Sequence, residues 1–283
     1  MCAGNYDDVP TYLRSVSGFY LDRFEVTVGR FGEFFRAYEA SGIPVDGAGS
    51  HPRIAGTGWN SAWTTLPDSQ NPVDPQNPSG VKKPAVPQLQ GDLDQQLKRV
   101  VPGAPTCTWD RGDSTLPITC VNWYVAFAFC IWDGGRLPTE AEWNFAASAG
   151  QGFPYPWSRQ LTDEMVTTDY ANYEGTTPVR VGSYTIGRGF FTRGQENQGH
   201  DDLAGNAAEW VSDANNPDMS QEELTDYMAP WTGVSTDRIS RGGAFSGSFV
   251  DVRSGTRVFQ KAETISPYQG FRCARDSKTK EDD

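Results

Sequence analysis

The chain has 283 residues, enough for one large domain or two small ones, and carries a formal net charge of −12. Phosphate binding needs a basic patch, so this balance argues against a nucleic-acid partner. No apolar run approaches the roughly 18 residues of a membrane-spanning helix, so no transmembrane segment is expected. Hydrophobic content is a modest 37%, yet nine Trp, eleven Tyr and fifteen Phe can each bury a large area. Thirty Gly and nineteen Pro point to a loop-rich fold of short elements rather than a helix bundle. The acidic surface suits cation binding or an extracytoplasmic setting, and solubility explains it equally well. No signal-peptide apolar core opens the sequence, which leaves a cytoplasmic protein or one whose export signal lies upstream.

In chain order, residues 18–26 read as a strand in which Phe19, Leu21 and Phe24 alternate with polar neighbours. Thr27 is an N-cap for a helix over 28–40, where Val28, Phe31, Phe34, Phe35 and Tyr38 share one face and Gly42 ends the run. Residues 43–119 hold more than half of the prolines and form a long irregular excursion, with a short helix near 92–99. Trp59, Trp63 and Trp109 anchor it; core packing is the commoner role for such residues, a ligand groove the alternative. Cys107 and Cys120 are placed to staple its end.

Asn122 and the Gly134-Gly135 stop bracket a helix from Trp123 to Trp132 that is apolar nearly all round and hence buried. Thr139 and Glu142 form a capping box for the next helix, with Pro138 ahead of it. Beyond residue 150, VGSY (181–184), RISRGGAF (238–245) and QGFRCAR (269–275) read as strands of a small sheet. No repeat of solenoid or propeller length is present. KTKEDD forms a charged tail.

Five motifs run in order: GRLPTEAEW (135–143), YPW (155–157), AGNAAEW (204–210), RGGAF (241–245) and GFRC (270–273). Between Cys130 and Cys273 there is no cysteine. This set resembles the formylglycine-generating enzyme, or sulfatase-modifying-factor, family. The likeness covers 18–275 and is strongest in 118–157, 201–212 and 238–275. It implies one α+β domain, a variant of the C-type-lectin fold with two main helices and a small twisted antiparallel sheet. The family's first strand is expected to be missing or cut off here, which makes 1–17 its remnant and 276–283 the tail.

The family oxidises a substrate cysteine to formylglycine with O₂, using two cysteines that hold copper. Soft thiolates are what Cu(I) needs. Here the first cysteine position falls on Gly247, the second on or near Val252, and the family serine on Ala244. No catalytic residue carries over and copper is not expected. The resemblance also implies a Cys130–Cys273 disulfide, with two buried free thiols as the alternative. Cys2 is left over, a gene-start remnant or a lipidated anchor.

A calcium site is implied as well: Asp202, the carbonyls of Gly205 and Ala207, and the Glu209 carboxylate, all hard oxygen donors. The alternative is a tight turn in which Glu209 caps backbone amides. Asn172 and the Tyr173 carbonyl match part of a second calcium site. His51 and His200, the only histidines, read as surface residues rather than iron ligands. Arg241, Arg253, Arg257 and Arg272 are expected to pair with carboxylates such as Glu140 and Glu142. The reading is therefore a non-catalytic, calcium-stabilised binding or accessory module at the cell envelope, with a protein, peptide or glycan ligand. The rival is a metal-dependent oxidoreductase drawing ligands from Ser246, Ser248, Asp251 or a histidine. Recognition of a cysteine-containing peptide without oxidation is a third.

Overall fold

The computed structural model describes residues 15–65, 86–88, 90–99, 103–158, 166–189, 199–215, 225–229, 231 and 237–277. The expected N-terminal remnant up to residue 14, Cys2, the tail beyond 277 and the proline-rich centre of the excursion (66–85) lie outside these residues.

Helix α1 (Val28–Ser41) starts where the Thr27 hydroxyl accepts a hydrogen bond from Arg30 N at 3.2 Å. It buries Phe31, Phe34 and Tyr38. Gly42 ends it at φ −76°, an ordinary right-handed value, so glycine is needed here for space. A Cβ at this position would collide with the Tyr38 ring and carbonyl. A short α2 (Gln90–Leu97) packs on α1. Helix α3 (Trp123–Trp132), capped by Asn122 onto Val125 N at 3.0 Å, is the hub. Phe129 stacks on Phe31 and meets Phe271 edge-on, while Trp123 and Phe127 gather Trp63 and Trp231. Trp59 and Trp63 are buried in this core and Trp109 packs on Phe31 and Phe35, so the excursion's tryptophans are core anchors.

The expected capping box opens α4 (Glu140–Ala147): Thr139 Oγ1 accepts from Glu142 N at 3.1 Å and Glu142 Oε2 from Thr139 N at 2.8 Å. A third acceptor, missed in the sequence, is Asp213, whose Oδ2 takes Glu140 N at 2.6 Å. The described residues thus contain four α-helices, at the four places where the sequence reads as helical.

Strand β1 (Phe19–Leu21) pairs antiparallel with β6 (Ala274–Asp276). The main sheet has the order β4-β3-β2-β5, with β2 Ala208–Ala214, β3 Asp237–Arg241, β4 Arg257–Lys261 and β5 Gln269–Phe271. β2 and β5 run parallel, so the sheet is mixed rather than wholly antiparallel. VGSY is no strand: Gly182 takes φ +73° in a turn that leads to a 3₁₀ segment at Thr185–Gly187. β2 and β4 had given no strand signal. Six of seven β2 residues are buried, including Ser212 and Asp213, so no in-out alternation is written into it.

Both disulfides are formed. Cys130–Cys273 ties α3 to the link between β5 and β6, and Cys107–Cys120 closes the excursion's last loop.

Burial, with the Glu140 charge adding, raises Asp213 to about 7 against the amides of Ala229 and Glu140. A folded-state pKa above the unfolded one contributes stability that is full below about 3.8 and lost as pH rises through about 7. Between about pH 5.5 and about pH 8.5, urea denaturation should find wild type losing about 1–2 kcal/mol more than Asp213→Asn. Equal losses would show that Asp213 does not titrate there.

Candidate functional site: a buried acidic turn

The turn before β2 is built from left-handed residues: Asp202 (φ +58°), Gly205 (+78°) and Asn206 (+62°). Gly205 is required, because a Cβ would strike the Asn172 carbonyl. Asn206 is fully buried and does the bracing. Its Oδ1 accepts from Val179 N at 2.9 Å and Asn172 Nδ2 at 3.1 Å, and its Nδ2 donates to Glu25 Oε1 at 3.0 Å.

Glu25, two residues before the α1 cap, enters the site from the other side. Its Oε1 also accepts from Ala207 N at 3.2 Å, while Oε2 is buried with no hydrogen-bond partner. Burial, then the charges of Asp202 and Glu209, hold its carboxyl well above the usual range against Arg272. Asp202 Oδ2 accepts from Gly182 N at 2.5 Å; burial foremost raises this carboxyl to about 6. Glu209 is bound on both oxygens. Arg272 Nη2 donates to Oε1 at 2.6 Å and Nε to Oε2 at 2.7 Å, and Trp143 Nε1 donates to Oε2 at 2.8 Å. Three buried carboxylates therefore face one guanidinium. Neighbouring Asp201 is matched separately by Arg23 and Arg188 at 2.6 and 2.7 Å.

The structure thus brings Asp202, Gly205, Ala207 and Glu209 onto one turn and strand start, and adds Glu25. The alternative in which Glu209 caps backbone amides is overturned, since its donors are a guanidinium and an indole. Among the described residues, no three His, Cys, Asp or Glu side chains stand together as ready-made ligands of one ion. The implied site draws two of its donors from the main chain, and the unpartnered Glu25 oxygen is a third acidic donor in its field. All of these are oxygen donors, the kind that a hard divalent cation takes. Asn172 instead braces the fold, donating to Thr177 O and Asn206 Oδ1, each at 3.1 Å. Tyr173 packs with Tyr155 and Trp157.

At the thiol positions, Val252 is fully buried in that same aromatic cluster, and Gly247 O accepts from Glu174 N at 2.8 Å. Ala244 is buried. Asp251 Oδ2 accepts from Ser248 N and Oγ at 2.6 and 2.8 Å, so two of the rival metal donors are engaged with each other. Ser246 is exposed.

Both histidines correct the surface reading. His51 is buried against Glu142, 3.7 Å from Nε2 to Oε1. His200 is half-buried beside Arg272 and Asp201, its pKa lowered to about 4 chiefly by burial. The arginines are structural as expected, with altered partners. Arg257 pairs with Glu140 and Arg272 with Glu209, whereas Glu142 belongs to Arg136, bound at 2.7 and 2.6 Å. Arg241 lies 3.5 Å from Glu140 and donates to the Ser254, Gly255 and Thr256 carbonyls. Arg253 Nε reaches Tyr155 Oη at 3.4 Å.

Residues 2–277 match the Sulfatase-modifying factor enzyme 1-like domain family. The chain belongs to this family. One relative is the serine/threonine-protein kinase Pkn1 of Chlamydia trachomatis, 34% identical over 60% of this chain and 26% of that protein. The formylglycine-generating enzyme of Thermomonospora curvata is 32% identical over 56% of this chain and 55% of its own length. The chain therefore spans about a quarter of the first relative and about half of the second. Among solved structures, PvdO from Pseudomonas aeruginosa superposes with TM-score 0.53 at 17% identity, over 92% of this chain and 80% of that one. That likeness shows that the two chains share a fold.

Replacing Arg272 by neutral Met strands three buried carboxylates, and should cost about 3–5 kcal/mol in urea denaturation. A loss below about 1 kcal/mol, the scale of an exposed pair, would mean that the cluster is solvated rather than buried.

Proposed function

We propose that this chain is a non-catalytic member of its family, a binding or accessory module braced by one divalent cation at the acidic turn. An acidic turn intact in every side chain, beside a thiol site without either sulfur, carries the reading. Glycine at 247 and a packed valine at 252 offer nothing to copper, and the parent oxidation has no nucleophilic sulfur to use. Asp202, Glu209 and the carbonyls of Gly205 and Ala207 would hold Ca²⁺, whose charge would offset the surplus of buried carboxylate to which Glu25 adds. Bound there, the ion supplies rigidity and no bond-making step. It would fix the start of β2 and, through Phe245 N on the Asn206 carbonyl at 2.9 Å, the loop where the thiols would stand.

Two disulfides are in keeping with an oxidising compartment, which supports the cell envelope or the extracellular space as the working location. A protein, peptide or glycan is the ligand class in view.

The test is metal content by elemental mass spectrometry, joined to chemical denaturation with and without Ca²⁺. Wild type should retain about one equivalent of calcium and gain about 2–3 kcal/mol at roughly a hundredfold excess over Kd. Glu25→Gln removes a buried charge while keeping its shape. It should be at least as stable as wild type in EDTA and gain little from Ca²⁺. Stoichiometric copper or iron, or no calcium-dependent stabilisation, would overturn the proposal.

A further inference from the structure

The loop closed by Cys107 and Cys120 is the outer wall of the acidic site. On one flank it holds the segment that carries Glu25. Ile118 N donates to Val26 O at 2.8 Å, and Val28 N and Gly29 N donate to Leu116 O and Ser114 O at 2.9 and 2.8 Å. On the other flank it holds the segment whose Gly182 amide fixes Asp202. Val181 N donates to Thr115 O at 3.1 Å and Arg180 Nε to Asp113 Oδ2 at 2.9 Å. Arg111 Nη1 adds a bond to Thr177 Oγ1 at 2.6 Å, and the Thr177 carbonyl receives the Asn172 amide that braces Asn206.

The two disulfides sit in different surroundings. Cys130 and Cys273 are fully buried in the main core. Above them, Arg30 and Arg275 each bridge Asp22 and Asp133 in a closed ring of ion pairs. Among the described residues, Cys107 is 7% exposed, Cys120 is fully buried, and the pair clusters with Ile265 outside the main core. Arg111 Nε donates to the Cys107 carbonyl at 3.3 Å, and the Cys107 sulfur itself lies 3.2 Å from the Arg99 carbonyl. Cys120 is held at φ +64°, a left-handed value that costs a non-glycine residue energy and that opening the bond would free it to leave. Beside the bond, Thr108 and Thr119 clasp each other, N to Oγ1 at 3.1 and 2.9 Å.

We propose that Cys107–Cys120 is a thiol-exchangeable bond that sets the cation affinity of the Glu25–Asp202–Glu209 site. The affinity part rests on the cation reading above. The thiolate of an external dithiol attacks the Cys107 sulfur and forms a mixed disulfide, and the electron pair of the broken bond leaves on the Cys120 sulfur. The dithiol's second thiolate then displaces Cys107 and closes a ring. The dithiol is oxidised by two electrons, and both cysteines end as thiols carrying its two protons. The freed loop then holds Glu25 and Gly182 less firmly, and the ion binds more weakly.

The experiment treats the folded, oxidised full chain with dithiothreitol, maps alkylated cysteines by mass spectrometry, and titrates Ca²⁺ by calorimetry. Cys107 and Cys120 should be alkylated while Cys130 and Cys273 stay protected, with Ca²⁺ binding weakened about 5–10-fold. The double variant Cys107→Ser with Cys120→Ser should show the weaker affinity without reductant. Simultaneous loss of both disulfides, or unchanged affinity after selective opening, would overturn the proposal. Oxidised protein that binds no Ca²⁺ overturns the cation reading and the affinity link with it; the alkylation pattern then decides exchangeability alone.

Discussion

The fold turns on one buried guanidinium. Arg272 has five N–H donors and uses all of them: two on Glu209 and one each on the carbonyls of Asp22, Arg23 and Asp201. A buried ion pair is tolerable only when its remaining hydrogen-bonding capacity is met, and here it is met by three separate segments. These are the exit of β1, the residue before the acidic turn and the start of β2. The next residue, Cys273, is bonded to α3. Two consecutive side chains thus join the polar and apolar halves of the domain, and the parallel pairing of β5 with β2 sets Glu209 opposite Gly270.

That pair leaves the charges around it unbalanced. Glu25 and Asp202 share the field of one cation already committed to Glu209, and burial pushes both carboxyls up. Near the start of α4 the imbalance is reversed. There Arg241 and Arg257 converge on Glu140, and burial lowers Arg241 to about 10 even with that carboxylate present. Backbone carbonyls from the turn at 254–256 relieve the second cluster. In the first, one Glu25 oxygen is left with no protein donor at all. Each cluster keeps a buried polar atom without a hydrogen-bond partner, Glu25 Oε2 in the first and Arg241 Nε in the second.

The helices were legible in the sequence because their ends are chemical. Thr27, Asn122 and the Thr139–Glu142 box each write a start signal that the structure reproduces to the residue. The strands were far less so. β2 is buried on both faces and spends Asp213 on the amides of Glu140 and Ala229, which erases the period-two pattern. In VGSY the glycine that looked like a strand interruption is a turn, and its amide serves Asp202. Glu25 did leave a signal, a lone carboxylate between Phe24 and Val26, but its meaning depends on a turn nearly 180 residues away. The lost thiols could be read as absent cysteines, while the packing of Val252 among Tyr155, Trp157 and Tyr173 could not.

Hydrogen bonds add to that packing around the positions where the family's cysteines fall. The 244–252 loop is held by main-chain and local bonds: Gly247 N to Ala244 O, Asp251 N to Ser248 O, and the Asp251 carboxylate on Ser248. Outside itself the loop leans on Glu174 and Gly175, whose amides meet the carbonyls of Gly247 and Phe245, and on Asn206 through Phe245 N. None of these contacts uses a side chain at 247 or 252. The absence of thiols at these positions therefore leaves the support in place, because the hydrogen bonds come from the loop itself, from Glu174 and Gly175, and from Asn206.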